Sequence, residues 1–206
     1  MSETYGQSSP STAHTPTPMP LNEQHLASVH TNNFPDLLRH FHSSLIVSTY
    51  QAGKLVFLRP EGNAINTHFH SVERPMGIAT DVGRFALGSV MEITEYHNVP
   101  EMAATLHDPP QHDAVFMTRH THITGAVDIH EMAWDGEGQL WFVNTLFSCL
   151  CTLDNRNSFV PRWRPSFVSH YAPEDRCHLN GLAMRDGKPR YVTCLGKTNT
   201  PGGWRV

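Results

Sequence analysis

The chain has 206 residues, 39% of them hydrophobic and 17% charged, a balance that suits a folded domain and excludes a wholly disordered or fibrous protein. Its 15 Lys and Arg stand against 19 Asp and Glu, a net charge of -4, so it lacks the basic surface that nucleic-acid binding needs. No stretch approaches the roughly 18 apolar residues of a membrane span and the N-terminus has no apolar signal core, so we expect a cytoplasmic protein that engages neither nucleic acid nor membrane.

Residues 1–32 are rich in Pro, Ser and Thr, with Thr15-Pro16-Thr17-Pro18-Met19-Pro20 at their centre, and are expected to be a disordered leader. Phe34 to Phe41 suits a short helix, with Pro35 in the first turn and Leu37, Leu38 and Phe41 on one face. Leu45 to Tyr50 is β-branched and apolar, Gln51-Ala52-Gly53 turns the chain, and Lys54 to Leu58 returns it as a hairpin. The same shape recurs as Leu140 to Thr145, a turn at Leu146-Phe147-Ser148, and Cys149 to Leu153.

A longer repeat runs over this pattern at intervals of about 50 residues, the range that marks units unable to bury their apolar faces alone. Met76-Gly77-Ile78-Ala79, His130-Glu131-Met132-Ala133 and Asn180-Gly181-Leu182-Ala183 each precede a polar turn and an apolar strand. Four partial units result, around residues 45–58, 76–97, 130–154 and 180–196. The expected fold is all-β, a partial, truncated β-propeller of about four incomplete blades over residues 33–206. Closed propellers need four to eight complete blades, so the chain reads as a fragment. Pro100 to Arg119 and the Pro-rich segment Pro161 to Asp175 read as long surface connections.

The chain has fifteen histidines, and the members of the pairs His40/His42, His68/His70 and His120/His122 would share a face wherever the segment is a strand. The four cysteines form neither a disulfide framework nor a zinc-knuckle pattern, and Cys149 and Cys151 sit in an apolar run as small hydrophobes. In a propeller, matching positions of successive inner strands converge on one axis. Met76, His130 and Asn180 share that register, and Arg74, Asp128 and His178 lie two residues earlier on the same face. Arg74, Asp128 and Asp175 are therefore candidates for a polar cluster at a channel mouth, with His130, His178 and Asn180 as candidate ligands of a divalent metal. Trp163, between Arg162 and Arg164, is the aromatic candidate for ligand contact. No Gly-x-Ser-x-Gly elbow, phosphate loop or His-Glu-x-x-His motif is present.

Ser48-Thr49-Tyr50-Gln51-Ala52-Gly53-Lys54-Leu55, Arg74-Pro75-Met76-Gly77, Thr124-Gly125, Trp141-Phe142-Val143-Asn144-Thr145, Phe147-Ser148-Cys149-Leu150, Pro173 to Ala183 and Gly202-Gly203-Trp204-Arg205 together resemble a bacterial family known only as a conserved hypothetical protein of unknown function. The resemblance spans roughly residues 33–206 and implies a propeller longer than this chain, with no activity to carry over. Asn180-Gly181-Leu182-Ala183 is also similar to the gluconolactonase and senescence-marker group and to NHL-type propellers. In the gluconolactonase group the matching Asn ligates a central divalent metal, a role the resemblance implies for Asn180. This chain departs from that pattern with Leu179 where Pro is usual and His130 at the matching place of the preceding unit. The favoured function is a binding or scaffold module for a peptide, protein or small metabolite. The alternative is a divalent-metal-dependent lactonase or ester hydrolase, with Asn180, His130 and His178 near the ion and Asp128 or Asp175 as base.

Overall fold

Most of the chain is strand, as the alternating apolar runs require. The computed structural model describes residues 29–108 and 112–205; the first 28 residues of the expected leader lie outside that range. Among the described residues a short helix, α1 (Phe34–His40), with Pro35 near its start, leads into the first of four antiparallel sheets. The first sheet is β1 (Leu45–Thr49), β2 (Lys54–Glu61) and β3 (Ala64–Ser71); the second is β4 (Ile78–Asp81), β5 (Arg84–Gly88), β6 (Glu92–Asn98) and β7 (Phe116–Ile123). A short helix, α2 (Pro100–Ala103), precedes β7. The third sheet is β8 (Ile129–Trp134), β9 (Leu140–Asn144), β10 (Cys149–Thr152) and β11 (Val160–Trp163), and the last is β12 (Leu179–Arg185) with β13 (Lys188–Cys194). Within every sheet the strands lie in chain order.

The hairpin turns follow from residues that tolerate positive φ. Asp186 and Gly187, at φ 53° and 71°, form the two-residue link between Arg185 and Lys188, where both central residues must enter the left-handed region. At the β8–β9 turn, Asp135 Oδ1 accepts the Glu137 and Gln139 amides at 2.9 and 2.8 Å, while Oδ2 accepts the Trp141 indole N–H at 2.9 Å. Burial works to raise the Asp135 pKa, but these donors outweigh it and hold the carboxyl below its usual range.

The last three sheets pack against one another along their first strands, β4 against β8 and β8 against β12. Leu55, Phe85 and Leu87 fill the first interface. Ala79, Ala86 and Ile93 meet Ile129, Met132, Phe142, Cys149 and Cys151 in the second, and Val143, Leu150, Cys177 and Leu179 fill the third. Glycines allow the second interface to close: a Cβ on Gly88 would stand 2.7 Å from Ile129 Cγ2, and one on Gly77 would stand 2.9 Å from Met132. Cys149 and Cys151 are fully buried with sulfurs 3.5 Å apart. The hydrogen bond between them, and then burial, drive the Cys151 thiol far above its ordinary value, so it stays protonated and inert.

Three strands differ from the sequence expectation. Val160–Trp163 pairs with β10 as the fourth strand of its sheet, although Pro161 and its basic neighbours read as loop. Pro161 is accommodated because β11 is an edge strand and the ladder shifts register between Leu150 and Cys151. Phe116–Ile123 shortens the expected excursion after Pro100, and Ala64–Ser71 adds a strand between the units expected at 45–58 and 76–97. All three end a sheet, where only one edge needs a partner and apolar alternation is weak. His68 and His70 share an exposed face of β3, while His122 of β7 reaches the Asn157 and Ser158 carbonyls at 3.2 and 3.1 Å.

Candidate functional site

Each of the last three sheets begins with a polar residue in a left-handed turn. Arg74, Asp128 and His178 lie five places before Ala79, Ala133 and Ala183, and have φ of 47°, 52° and 47°. A side chain with a Cβ adopts that conformation at a cost of about 1–2 kcal/mol. Asp175, at φ 44°, adds a fourth, so the cluster holds four of the seven non-glycine residues with positive φ among the described residues. The turns are tied down by the strand that follows: the Thr145 amide donates to the Asp128 carbonyl at 3.2 Å and the Leu195 amide to that of His178 at 3.3 Å.

These side chains meet in a continuous polar line across the four sheets. Arg74 Nε donates to the Tyr50 hydroxyl at 2.8 Å, joined by its Nη2, which also lies 3.5 Å from Asp128 Oδ1. His130 Nδ1 lies 3.3 Å from the Asp128 carbonyl, and its ring meets that of His178 edge to face, with centroids 4.8 Å apart. Burial, and then the neighbouring His178, push the His130 pKa down, so the ring is neutral near pH 7. His178 Nδ1 lies 3.0 and 3.1 Å from the two oxygens of Asp175. The Asp175 carboxylate also accepts the Trp204 indole N–H at 2.7 Å and has Arg205 Nη2 at 3.4 Å.

A carboxylate and a carbonyl accept these hydrogen bonds, so the Nδ1 of each imidazole donates and the Nε2 is the ring nitrogen outside them. The line grades from open to closed. The Arg74 and Asp128 side chains are 48% and 45% exposed, those of His178 and Asp175 only 16% and 12%. Tyr50, Arg74, Met76, Asp128 and His130 line a crevice at its open end.

The closed end is braced by Arg176, a buried cation that donates to Glu174, Ser169 and Asn199 at 2.7, 2.8 and 2.8 Å and contacts the His170 ring. Its partners join the segment carrying Asp175 to the one carrying Trp204, and the Gly202 amide donates to the Glu174 carbonyl at 3.0 Å. Glu174 and Asp175 both donate their amides to the Leu146 carbonyl, fixing the segment to the β9–β10 turn.

Of the candidates read from sequence, Arg74, Asp128, His130, Asp175 and His178 lie in this one cluster. Asn180 follows on β12, half-buried, two residues beyond His178. Trp163 lies elsewhere: it ends β11 at 42% exposed and lines a separate groove of about 760 Å³ with Trp141, Leu150, Lys188 and Val192. Sequence reasoning passed over Tyr50, Arg176, Trp204 and Arg205 as chemical participants. Tyr50 sits in a hairpin turn and Trp204 is 29 residues from Asp175, so no local pattern links either to the cluster.

A divalent metal at His130, His178 and Asn180 would find two imidazole nitrogens and one amide. Catalytic metals usually take three strong protein ligands. Among the described residues no three His, Cys, Asp or Glu side chains converge to hold an ion. Asp128 and Asp175 face Arg74 and Arg205 instead.

Among protein families, a domain of unknown function, DUF4915, matches residues 32–206. The chain belongs to the DUF4915 family. No match was found among curated proteins. No helix of the described DUF4915 domain is long and apolar enough to cross a membrane.

Proposed function

We propose that this DUF4915 domain is a ligand-binding module of partial β-propeller architecture, whose polar cluster sits at the axial mouth and takes a small polar molecule bearing an anionic group. The four sheets act as blades, and their chain-order meanders and first-strand packing support that reading. The observation that carries the site is the gathering of Arg74, Asp128, Asp175 and His178, all at positive φ, in one line of polar contacts. Backbone strain of this kind persists where the surrounding structure enforces it and clusters at functional sites. Arg74 and Arg205 offer cationic donors, while Asp128 and the imidazole Nε2 atoms offer acceptors, a set suited to a small hydroxylated carboxylate. The four free cysteines, three of them buried, suit a reducing compartment, in keeping with a cytoplasmic protein.

The test is a mapped binding screen: lactate, malate and citrate titrated into isotopically labelled protein, with amide shifts read at Arg74, Asp128, His130 and His178. Saturable shifts there, lost in Arg74→Ala, support the reading. Ligands that saturate only around Trp163 and Leu150 would move the binding site to the other groove.

A further inference from the structure

We propose that Asp175 and His178 form a general-base pair that activates a water at the inner end of the polar cluster for hydrolysis of a small carboxylic ester. This rests on the cluster being a ligand site and gives that site a reaction. The geometry is that of a base held by an orienting acid. Asp175 is buried and receives the His178 Nδ1–H and the Trp204 indole N–H, so its charge is satisfied and its position fixed. With Nδ1 donating to the carboxylate, Nε2 is the ring nitrogen left to take a proton. Both members sit in left-handed backbone turns, at φ 44° and 47°. The ring is clamped between Trp204, with centroids 4.1 Å apart, and the edge of His130 at 4.8 Å. A purely structural Asp–His pair needs neither strained backbone at both residues nor an aromatic clamp on the imidazole.

The step balances with water as the only co-reactant. His178 Nε2 takes a proton from water as the water oxygen bonds to the acyl carbon. The acyl–oxygen bond then breaks, and the proton on Nε2 passes to the departing alcohol oxygen, giving a carboxylic acid and an alcohol. Arg205, stacked 4.0 Å over the Trp204 ring and 3.4 Å from Asp175, supplies a cation beside the pair for the negative charge that builds on the carbonyl oxygen. His178 is the catalytic residue, Asp175 a positioning residue that fixes its tautomer.

The experiment uses the full chain and p-nitrophenyl acetate as probe, each rate taken with and without EDTA, with the imidazole nitrogens of His178 followed by long-range ¹⁵N NMR. The expected wild-type signature is Nδ1 protonated and Nε2 unprotonated at neutral pH, with hydrolysis above the buffer rate. His178→Gln should lower that protein-dependent rate on the order of a hundredfold. Asp175→Asn should lower it comparably and shift the tautomer balance toward Nε2–H, a change that mere loosening of the fold would not select. His68→Gln, on the exposed face of β3 and outside the cluster, should keep the rate. An Nε2-protonated His178 in the wild type, a rate that His178→Gln leaves intact, or a rate abolished by EDTA overturns the proposal. If the carboxylates still saturate the cluster while hydrolysis is absent, the general base fails and the binding site stands; if neither occurs, both fail.

Discussion

Replacing Gly88 with Ala tests whether the second and third sheets meet as closely as their first strands suggest. The added methyl carbon would lie 2.7 Å from Ile129 Cγ2 and 3.1 Å from its Cβ, closer than carbon atoms approach without displacement. Ile129 is 3% exposed and surrounded by core residues, so it has little room to give. Overpacking of this kind costs about 1–3 kcal/mol. Gly88 is not at positive φ, so alanine also gains about 0.4–1 kcal/mol by restricting the unfolded chain. The clash wins, for a net loss of about 1–2 kcal/mol. Urea denaturation followed by tryptophan fluorescence should show the midpoint fall by roughly 0.5–1 M, given typical slopes for small domains. Ile129→Ala removes Cγ2 and by itself should cost about 2–5 kcal/mol. In that background only the 3.1 Å approach to Cβ remains, so Gly88→Ala should cost less and the double-mutant cycle should show coupling of about 1 kcal/mol. Additive effects, or a neutral Gly88→Ala, would refute the close approach of β5 and β8.

Arg176→Met should destabilise by about 3–5 kcal/mol, because it strips a buried cation from Glu174 and leaves Ser169 and Asn199 without their donor; thermal denaturation measures it. Glu131, whose carboxyl is pushed up by burial despite the Met132 amide it accepts, should favour folding least when ionised. Its contribution is lost as pH rises from the ordinary value of 4.5 through the higher folded one, so Glu131→Gln should raise the melting temperature at pH 7 and leave it unchanged near pH 4.

The sequence by itself determined the β-rich character, the chain-order hairpins and the repeat that sets Arg74, Asp128 and His178 at one offset from the repeat alanines. These are local properties: alternating apolar residues, turns such as Asp186-Gly187, and small residues where sheets must approach. Only the tertiary structure decided that Val160–Trp163 is a strand, because an edge strand carrying a proline is stabilised by its neighbour rather than by its own pattern. It also decided that Asp175 serves His178 and Trp204 while Tyr50 serves Arg74 across 24 residues. Those pairings depend on how turns from different sheets lie against one another, a long-range packing outcome that residue spacing does not encode.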